Sequence, residues 1–350
     1  MSIRCAIVGC GLIADEYAHT LNASSLVDLV SCSDLDIDRA RAFAARHTIP
    51  NVESFEHLDA DLVVVLTPPS EHVGVASAAM RSGMSVYVEK PLAVSSSEAE
   101  ALLGLATRHG VLIGAAPDTL LAPPIQSAAQ ALAAGLIGEP VAATAALLSP
   151  GPERWHPRPE SIYGLGPLLD MGPYYLTALI HLLGPVVSVR GATTLRRPLR
   201  TKVSGDTFTA TAPTHVEALL ETAAGVALTL TTSFDIQGTT RPHLEIYGTD
   251  GTLLLPDPNF HHGVVRLRRR GEATWDTIPP APSRSVVGRG MGVLDLAEAL
   301  RTNGRGKATA NLALHVLHVI ETIEQAAATG TSQAVPAGDA ISAQTDGRSR

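Results

Sequence analysis

The sequence predicts an α/β protein with a parallel sheet in its first part and a mostly antiparallel sheet in its second. Up to about residue 120, continuous apolar runs alternate with helical patterns, as in parallel strands covered by helices on both faces. Later strands are longer, alternate apolar and polar residues, and are separated by Gly-containing turns, which indicates antiparallel pairing. A chain of 350 residues suits about two domains. We therefore predict domains at residues 1–120 and 121–334 and a disordered tail at 335–350.

Apolar runs, turn residues and helix caps define the individual elements. Ser95 and Glu98, for example, have the spacing of a capping box at the start of a helix. In the first domain the predicted strands are residues 3–8, 26–32, 61–66, 85–88 and 111–115, and the helices are 12–21, 70–82 and 95–109. In the second, the strands are 141–148, 186–194, 215–221, 226–234, 243–247, 252–255 and 264–268, and the helices are 125–136, 169–183, 291–301 and 308–328.

A glycine-rich turn, Gly-Cys-Gly-Leu-Ile-Ala at residues 9–14, lies between the first strand and the first helix. The first glycine permits a tight turn, the second lets the backbone approach a pyrophosphate, and the small third position lets the helix pack closely. An acid 23 residues after the second glycine suits a ribose diol. The context favours a dinucleotide-binding Rossmann domain over a chance glycine turn. The predicted cofactor-binding residues here are Gly9, Gly11, Leu12, Ile13 and Asp34.

Two further loops follow strands of the same sheet. In open parallel sheets, ligands bind outside the carboxyl ends of the strands. The loop at 67–72 supplies Thr67, Pro68 and His72, and the loop after residue 88 supplies Glu89 and Lys90, as predicted cofactor contacts. For His72 the alternative is a loop hydrogen bond, and for Lys90 it is a side chain that simply reaches solvent.

Composition excludes several classes of protein. The net charge is −8, and the longest basic run has three arginines, at residues 268–270, so we expect no nucleic acid and no membrane partner. The three cysteines, Cys5, Cys10 and Cys32, resemble buried apolar residues, and no spacing predicts a metal site. The chain starts on a strand without a signal peptide and has no bilayer-spanning stretch, so we expect a cytoplasmic protein.

Several segments together resemble the Gfo/Idh/MocA family of NAD(P)-dependent oxidoreductases. They are the turn at 9–14, Thr-Pro-Pro-Ser-Glu-His at 67–72, Glu-Lys-Pro-Leu-Ala at 89–93, Gly-Pro-Leu-Leu-Asp-Met-Gly-Pro-Tyr at 166–174, and the segments 135–141 and 243–248. The resemblance covers the chain to about residue 330. It implies an N-terminal Rossmann domain, a C-terminal α/β domain with an open, mostly antiparallel sheet, and a homodimer or homotetramer formed through that sheet.

The resemblance also implies catalytic roles. Lys90 matches the family's active-site lysine, and Asp170 matches the acid of its DxGxH signature. The chain departs at the last signature position, where Tyr174 replaces histidine, and Thr177 replaces a later acid of the same helix. A tyrosine pKa of about 10 is high for a base at neutral pH, and a nearby Lys90 ammonium favours the phenolate. The alternatives are a packing role for Tyr174 and a helix N-cap for Asp170.

Substrate contacts are predicted for Asp118 and Thr119 after the strand at 111–115 and for Trp155 and His156 in a Pro-rich segment, together with Lys90, Asp170 and Tyr174. Aromatic and polar groups together suit a small polyhydroxylated ring, although the Trp155 loop is equally suited to a domain or subunit contact. We expect hydride transfer between NAD, with NADP second, and a secondary alcohol or ketone of a sugar, cyclitol or similar polyol. The alternatives are a redox-neutral epimerase or eliminase that recycles NAD, and a non-catalytic dinucleotide-binding sensor.

Overall fold

The computed structural model describes residues 2–283, 286–304 and 306–337. Most of the predicted tail, residues 338–350, lies outside the described residues. The chain divides into two compact units, the first formed by Met1–Ala122 and Pro282–Leu314 and the second by Pro123–Ala281 and His315–Arg350. Within the described ranges, no helix is both long enough and apolar enough to cross a membrane.

The first unit is built on a six-stranded sheet with the order β3-β2-β1-β4-β5-β6. All neighbouring strands are parallel, as predicted. Its strands are β1 Ile3–Val8, β2 Val27–Ser33, β3 Asn51–Val52, β4 Leu62–Val65, β5 Ser85–Val88 and β6 Ile113–Ala115, and its helices are α1 Ala14–Asn22, α2 Ile37–His47, α3 His72–Arg81, α4 Ser96–His109 and α8 Met291–Thr302. The strand order reverses between β1 and β4, which places a crevice at the carboxyl ends of these two strands.

Side-chain caps fix two helices of this unit. Ser95 accepts a hydrogen bond from the backbone N–H of Glu98 at 3.3 Å, as the capping-box spacing predicts. Asp36 caps α2 in the same way, accepting from the N–H of Arg39 at 3.1 Å. Helix α2 is absent from the sequence prediction. Its buried face consists of Ala40, Phe43, Ala44 and His47, so Phe43 is the single large apolar side chain that marks this face in the sequence.

Helix α8 belongs to the first unit, whereas the sequence prediction groups it with the second domain. Its residues Val293, Leu294, Leu296 and Ala297 pack in the same buried cluster as the apolar residues of β1 and α1. Burial of a valine or leucine side chain contributes about 1.5–3 kcal/mol to the free energy of unfolding. Helix α8 therefore packs with the first unit, although it follows most of the second unit in the sequence, because its apolar residues are buried there.

The second unit is built on a nine-stranded sheet with the order β16-β15-β14-β13-β7-β12-β11-β8-β17. Only β7 and β12 pair in parallel, so the sheet is mostly antiparallel, as predicted. The strands are β7 Pro140–Leu148, β8 Val186–Thr194, β11 His215–Thr222, β12 Ala227–Ser233, β13 Leu244–Gly248, β14 Gly251–Leu255, β15 Arg266–Arg269, β16 Asp276–Thr277 and β17 Gln333–Ala334, and a separate hairpin comprises β9 Leu199–Thr201 and β10 Thr207–Thr209. The helices are α5 Pro123–Ala133, α6 Pro159–Asp170, α7 Gly172–Leu183 and, from residue 315 onward, α9 Ala310–Thr329.

The predicted helix at 169–183 is two helices in the structure. Asp170 is the last residue of α6, and Met171 caps α7 without a side-chain hydrogen bond, so Asp170 is not an N-cap. Helix α6 kinks at Gly166, where φ is 72°. A Cβ there would lie 2.8 Å from the carbonyl oxygen of Pro213, so both the backbone angle and the close approach require glycine.

A buried histidine makes the second unit sensitive to acid. The backbone N–H of Val186 donates to His315 Nε2 at 3.1 Å, so the imidazole is neutral at that nitrogen, and Nδ1 has no partner among the described residues. Burial lowers the pKa of His315 to about 4. Because the unfolded chain binds this proton near pH 6.5, the stability contributed by His315 is complete above pH 6.5 and is lost as pH falls towards 4.

We expect the free energy of unfolding to fall by about 2 kcal/mol between pH 7 and pH 5 through this group alone. Urea titrations at the two pH values measure the difference. In His315→Gln, where the side-chain oxygen can accept from Val186 without titrating, the fall should be smaller by that amount. An unchanged pH dependence in this variant would remove His315 as the cause.

Candidate functional site

The two glycines of the turn after β1 have different surroundings. Gly9 has a φ of 97°, and a Cβ there would lie 2.7 Å from the carbonyl carbon and oxygen of Leu66 at the end of β4. A Cβ on Gly11 would meet nothing within 4 Å. The fold itself therefore requires Gly9 but not Gly11, and the space beside Gly11 suits the approach of a ligand pyrophosphate to the backbone. Leu12 is 74% exposed beside this space. Ile13, the N-cap of α1, makes no side-chain cap hydrogen bond, which leaves the helix N-terminus available to an anion.

This contrast gives a paired prediction. We expect Gly9→Ala to lower the melting temperature markedly, because the substitution imposes strain on the order of 1–3 kcal/mol plus a backbone clash. Gly11→Ala should melt like the wild type but bind NADH at least about tenfold more weakly, because its methyl group occupies the ligand's space. Thermal melts and fluorescence titrations with NADH measure the two effects. Wild-type NADH affinity in Gly11→Ala would exclude a pyrophosphate at this position.

Asp34 lies at the end of β2 and connects the glycine-rich turn to the next loop. Its Oδ2 accepts from the N–H of Cys10 at 2.8 Å, and its Oδ1 accepts from the N–H of Asp36 at 2.9 Å. Arg39 of α2 also reaches this carboxylate, with Nη1 3.4 Å from Oδ1, and pairs with Asp36 at 3.2 Å. Sequence reasoning singled out Asp34 alone and missed Arg39, which lies in the first turn of α2 after the Asp36 cap.

Thr67 and His72 shape the loop after β4. The hydroxyl of Thr67 is buried and has no hydrogen-bond partner within the described residues, as expected of a group that awaits a ligand or water. Both ring nitrogens of His72 lie 2.8 Å from backbone carbonyls, Nδ1 from Pro91 and Nε2 from Thr67. Burial lowers the pKa of His72, while the two carbonyls act in the opposite direction. His72 thus ties the Thr67 loop to the Lys90-Pro91 loop, which agrees with the hydrogen-bonding alternative, and Pro68 is exposed at the start of the turn.

Glu89 and Lys90 follow β5 in the same unit. Glu89 is buried; its Oε1 accepts from the hydroxyl of Tyr17 at 2.9 Å and its Oε2 from the backbone N–H of Lys90 at 2.6 Å. Burial beside Glu89 holds the pKa of Tyr17 well above its usual value, so its hydroxyl remains a donor. Lys90 itself is half-buried, and its backbone is fixed independently of its ammonium group.

Asp118 and Thr119 are buried in a short turn after β6. Asp118 Oδ2 accepts from the N–H groups of Gly290 and Gly292, at 2.8 and 3.0 Å, at the start of α8. A carboxylate at a helix N-terminus stabilises the helix. This geometry supports a structural role for Asp118 in anchoring α8, and the substrate contact of Asp118 stays a prediction.

The four predicted site residues of the second unit lie within residues 155–174, two at the start of this segment and two at its end. Trp155 is 71% exposed, and His156 makes an edge contact with its ring at a centroid distance of 5.3 Å. Asp170 is partly buried, and Tyr174 lies in the first turn of α7 and is 3% exposed. Asp170 ends α6 and Tyr174 is the third residue of α7, with Met171 between the two helices.

Tyr175, which sequence reasoning did not single out, makes the polar contacts next to Tyr174. Its buried hydroxyl lies 2.9 Å from His243 Nδ1 and donates to Asp257 Oδ1 at 3.1 Å. Burial raises the pKa of Tyr175 far above the usual range, so it stays protonated. The only sequence signal was a second tyrosine beside the first.

The residues of the first unit fit a nicotinamide dinucleotide. Gly11 leaves space for the pyrophosphate, Asp34 lies where the ribose diol is expected, and Thr67 offers a buried hydroxyl at the crevice. Among the described residues, no group of three or more His, Cys, Asp or Glu side chains is arranged to hold a metal ion.

Comparison with known proteins supports this assignment. The model of an oxidoreductase family with an NAD-binding Rossmann fold matches residues 3–116, and the model of the Gfo/Idh/MocA C-terminal domain matches residues 125–254. A dTDP-3,4-didehydro-2,6-dideoxy-alpha-D-glucose 3-reductase from Streptomyces antibioticus is 32% identical over 79% of this chain and 84% of its own length. A trans-1,2-dihydrobenzene-1,2-diol dehydrogenase from Bos taurus is 25% identical over 86% of this chain and 88% of its own.

The fold is shared with solved structures. A levoglucosan dehydrogenase in complex with NADH superposes with a TM-score of 0.81 over 96% of this chain and all of that one, at 17% identity. The glycine-rich turn, the acid after β2 and the Glu-Lys-Pro loop all lie within residues 3–116, which the NAD-binding family model matches. The chain belongs to the Gfo/Idh/MocA family of NAD-binding oxidoreductases.

Proposed function

We propose that the protein transfers hydride between a nicotinamide cofactor and a secondary alcohol or ketone of a sugar, cyclitol or similar polyol. The observation that carries the proposal is the crevice of the first unit, where Gly11 leaves open space and the buried Thr67 hydroxyl has no partner among the residues that the structure describes. The relatives support the substrate class, since they are named as a reductase of a dTDP-linked sugar and a dehydrogenase of a dihydrobenzenediol.

The chain's own residues have separate tasks in this reaction. The nicotinamide, when bound, supplies or accepts the hydride. Lys90 contributes a positive charge that stabilises the developing oxyanion, and Tyr174 gives or takes the proton of the substrate hydroxyl. Asp170, four residues earlier in the chain, orients the hydroxyl of the substrate. His72 keeps the Lys90 loop in place through the carbonyl of Pro91.

The alternatives are a redox-neutral epimerase or eliminase and a non-catalytic sensor. A lysine, an acid and a protic tyrosine at the signature positions favour an enzyme. A screen of sugars, cyclitols and their keto forms with NAD and NADP tests the proposal by absorbance at the reduced nicotinamide band. Net NADH formation or consumption supports it, product formation without net NADH indicates the redox-neutral enzyme, and no turnover of any compound would indicate the sensor.

Cofactor preference follows from the acids after β2. We propose that NAD is preferred, because Asp34 and Asp36 repel a 2′-phosphate. Arg39 partly offsets this repulsion and is the group through which residual NADP binding occurs.

We therefore expect Arg39→Ala to weaken NADP binding by roughly tenfold, the usual effect of losing one charge-assisted hydrogen bond, and to leave NAD affinity nearly unchanged. Arg41→Ala is the matched control, because Arg41 lies on the same helix and pairs with exposed Asp38 at 3.4 Å. Dissociation constants for both cofactors measure the effect. Tighter binding of NADP than of NAD by the wild type would overturn the preference.

We also propose self-association through the second sheet and a reducing, cytoplasmic location. Strand β11 alternates buried and exposed residues, and the exposed face carries Leu219 at 48% and, on β8, Val187 at 41% exposure. Sedimentation equilibrium distinguishes a dimer or tetramer from a monomer.

The thiols of Cys5, Cys10 and Cys32 are all free and buried, as suits a reducing compartment.

A further inference from the structure

A pocket of about 250 Å³ in the second unit carries an unusual concentration of positive charge. Arg154, Arg197 and Lys202 line it, together with Thr201, Gln237 and the acid Glu153. The segment 195–206, which forms much of its wall, contains four basic residues and one acid in a chain whose net charge is −8. A local excess of this sign in an acidic protein favours an anionic ligand.

Three loops at one edge of the second sheet form the pocket. Leu148 at the end of β7 pairs with Ser233 at the end of β12, and Thr194 at the end of β8 pairs with His215. The loops that follow β7, β8 and β12 therefore leave the sheet at the same edge. They supply Arg154, Arg197 with Lys202, and Gln237, respectively.

A buried arginine underlies the pocket and holds its one acid. Arg200 is 1% exposed, pairs with Asp235, and lies 4.7 Å from the ring centre of Tyr163. Its Nη1 is 3.5 Å from Glu153 Oε1, and the hydroxyl of Tyr163 donates to the other oxygen of Glu153. Glu153 is thus held by internal donors.

The three basic side chains that line the pocket differ in their polar contacts. Lys202 is 3.0 Å from Glu160, and Arg154 donates to the amide oxygen of Gln237 at 3.4 Å. Arg197 forms no ion pair in the described part of the chain. Its backbone carbonyl accepts from Arg200 Nε at 2.8 Å, which fixes the loop that carries the guanidinium. A phosphate group can satisfy such a guanidinium through charge-assisted hydrogen bonds.

The same edge of the sheet carries the residues beside the predicted proton donor. The loop between β12 and β13 runs from Gln237 at the pocket to His243, whose ring nitrogen is 2.9 Å from the Tyr175 hydroxyl. Tyr174 immediately precedes Tyr175 in α7. The pocket and the hydroxyl contact of Tyr175 thus lie at the same edge of the second sheet. Trp155, next to Arg154, presents an exposed ring on which a nucleobase can stack.

We propose that this pocket binds the phosphate ester of a phosphorylated or nucleotide-linked sugar and thereby positions the sugar ring for reaction. The inference rests on the proposed function, because it assigns the substrate class of the same enzyme. Arg197 supplies the main contact, Lys202 and Arg154 supply further charge, and Trp155 is the stacking surface if the ester is a nucleoside diphosphate.

Calorimetric titration with dTDP and with inorganic pyrophosphate tests the pocket. The protein is first saturated with NAD, so that these probes cannot occupy the pyrophosphate position beside Gly11. We expect saturable binding that weakens with salt and is reduced roughly ten- to hundredfold in Arg197→Ala and in Lys202→Ala. Arg301→Ala, which removes an exposed arginine from the first unit, is the charge-matched control and should bind like the wild type. Thermal melts confirm that each variant is folded.

Trp155→Ala distinguishes the two sources of the phosphate. If the ligand is a nucleotide-linked sugar, this variant binds dTDP about tenfold or more weakly but pyrophosphate unchanged. If it is a simple sugar phosphate, both probes bind Trp155→Ala as they bind the wild type. Absence of saturable binding of either probe, or binding indifferent to Arg197 and Lys202, would overturn the pocket assignment. Binding that depends on Arg197 and Lys202, without turnover of any sugar, would support the pocket assignment and refute the proposed function. Turnover of free sugars without binding of either probe would support the proposed function and refute the pocket assignment.

Discussion

Lys90→Ala is expected to lower kcat by about 10²–10⁴-fold, the range typical of losing a charge that acts in the transition state. The fold should persist, because the backbone at this position is fixed without the ammonium group. Glu89 accepts from the N–H of Lys90 at 2.6 Å, and the carbonyl of Pro91 is 2.8 Å from the buried ring of His72. Cofactor affinity should fall only modestly, since the pyrophosphate position beside Gly11 is unaffected.

Steady-state kinetics, an NADH titration and a thermal melt of the same preparation measure the three quantities. Lys307→Ala is a matched control. Lys307 is an exposed lysine of the first unit whose backbone N–H is likewise bonded to a carboxylate, that of Asp295, and we assign it no contact with substrate. A folded Lys90→Ala enzyme whose kcat stays within about threefold of wild type would show that the side chain only reaches solvent.

The elements near the glycine-rich turn were predictable because local chemistry specifies them. Strand β1 is apolar except for Arg4, and the turn at 9–14 begins with Gly9, whose backbone angle and close approach to Leu66 both require glycine. Helix α8 was predicted at the right residues but assigned to the second domain, because its partners lie nearly 300 residues earlier, among the apolar residues of β1 and α1. An apolar stripe specifies that a helix is buried but not against which sheet.

The site residues also divide into those that local sequence specifies and those whose partners are distant in sequence. The spacing of Gly9, Gly11 and Asp34 is local, and the structure brings the turn and the acid into direct contact through the N–H of Cys10. The role of Asp118 could not be derived in this way, because its hydrogen-bond donors are Gly290 and Gly292. Likewise, the network around buried Arg200 joins residues from three loops, and no motif marks such a network.

Tyr174→Phe is the sharpest test of the position at which this chain departs from its family's signature. If the hydroxyl carries the proton, kcat falls by about 10²–10⁴-fold, and the limb of the pH–rate profile that reports this transfer disappears or moves. The ring remains packed, since Tyr174 is 3% exposed and phenylalanine fills nearly the same volume. NADH affinity should barely change, because the glycine-rich turn lies in the other unit.

Tyr175→Phe separates chemistry from packing at the neighbouring position. Its buried hydroxyl contacts His243, which is exposed, and Asp257, which is partly buried, so both partners can turn to water when the hydroxyl is lost. The free energy of unfolding should therefore fall by only about 0.5–1.5 kcal/mol. Its kcat and pH profile should stay close to wild type. The two variants thus remove the same atom from adjacent residues and predict opposite results, one in rate and one in stability. Wild-type kcat and pH profile in Tyr174→Phe would refute the catalytic assignment and leave Lys90 or His156 as the proton carrier.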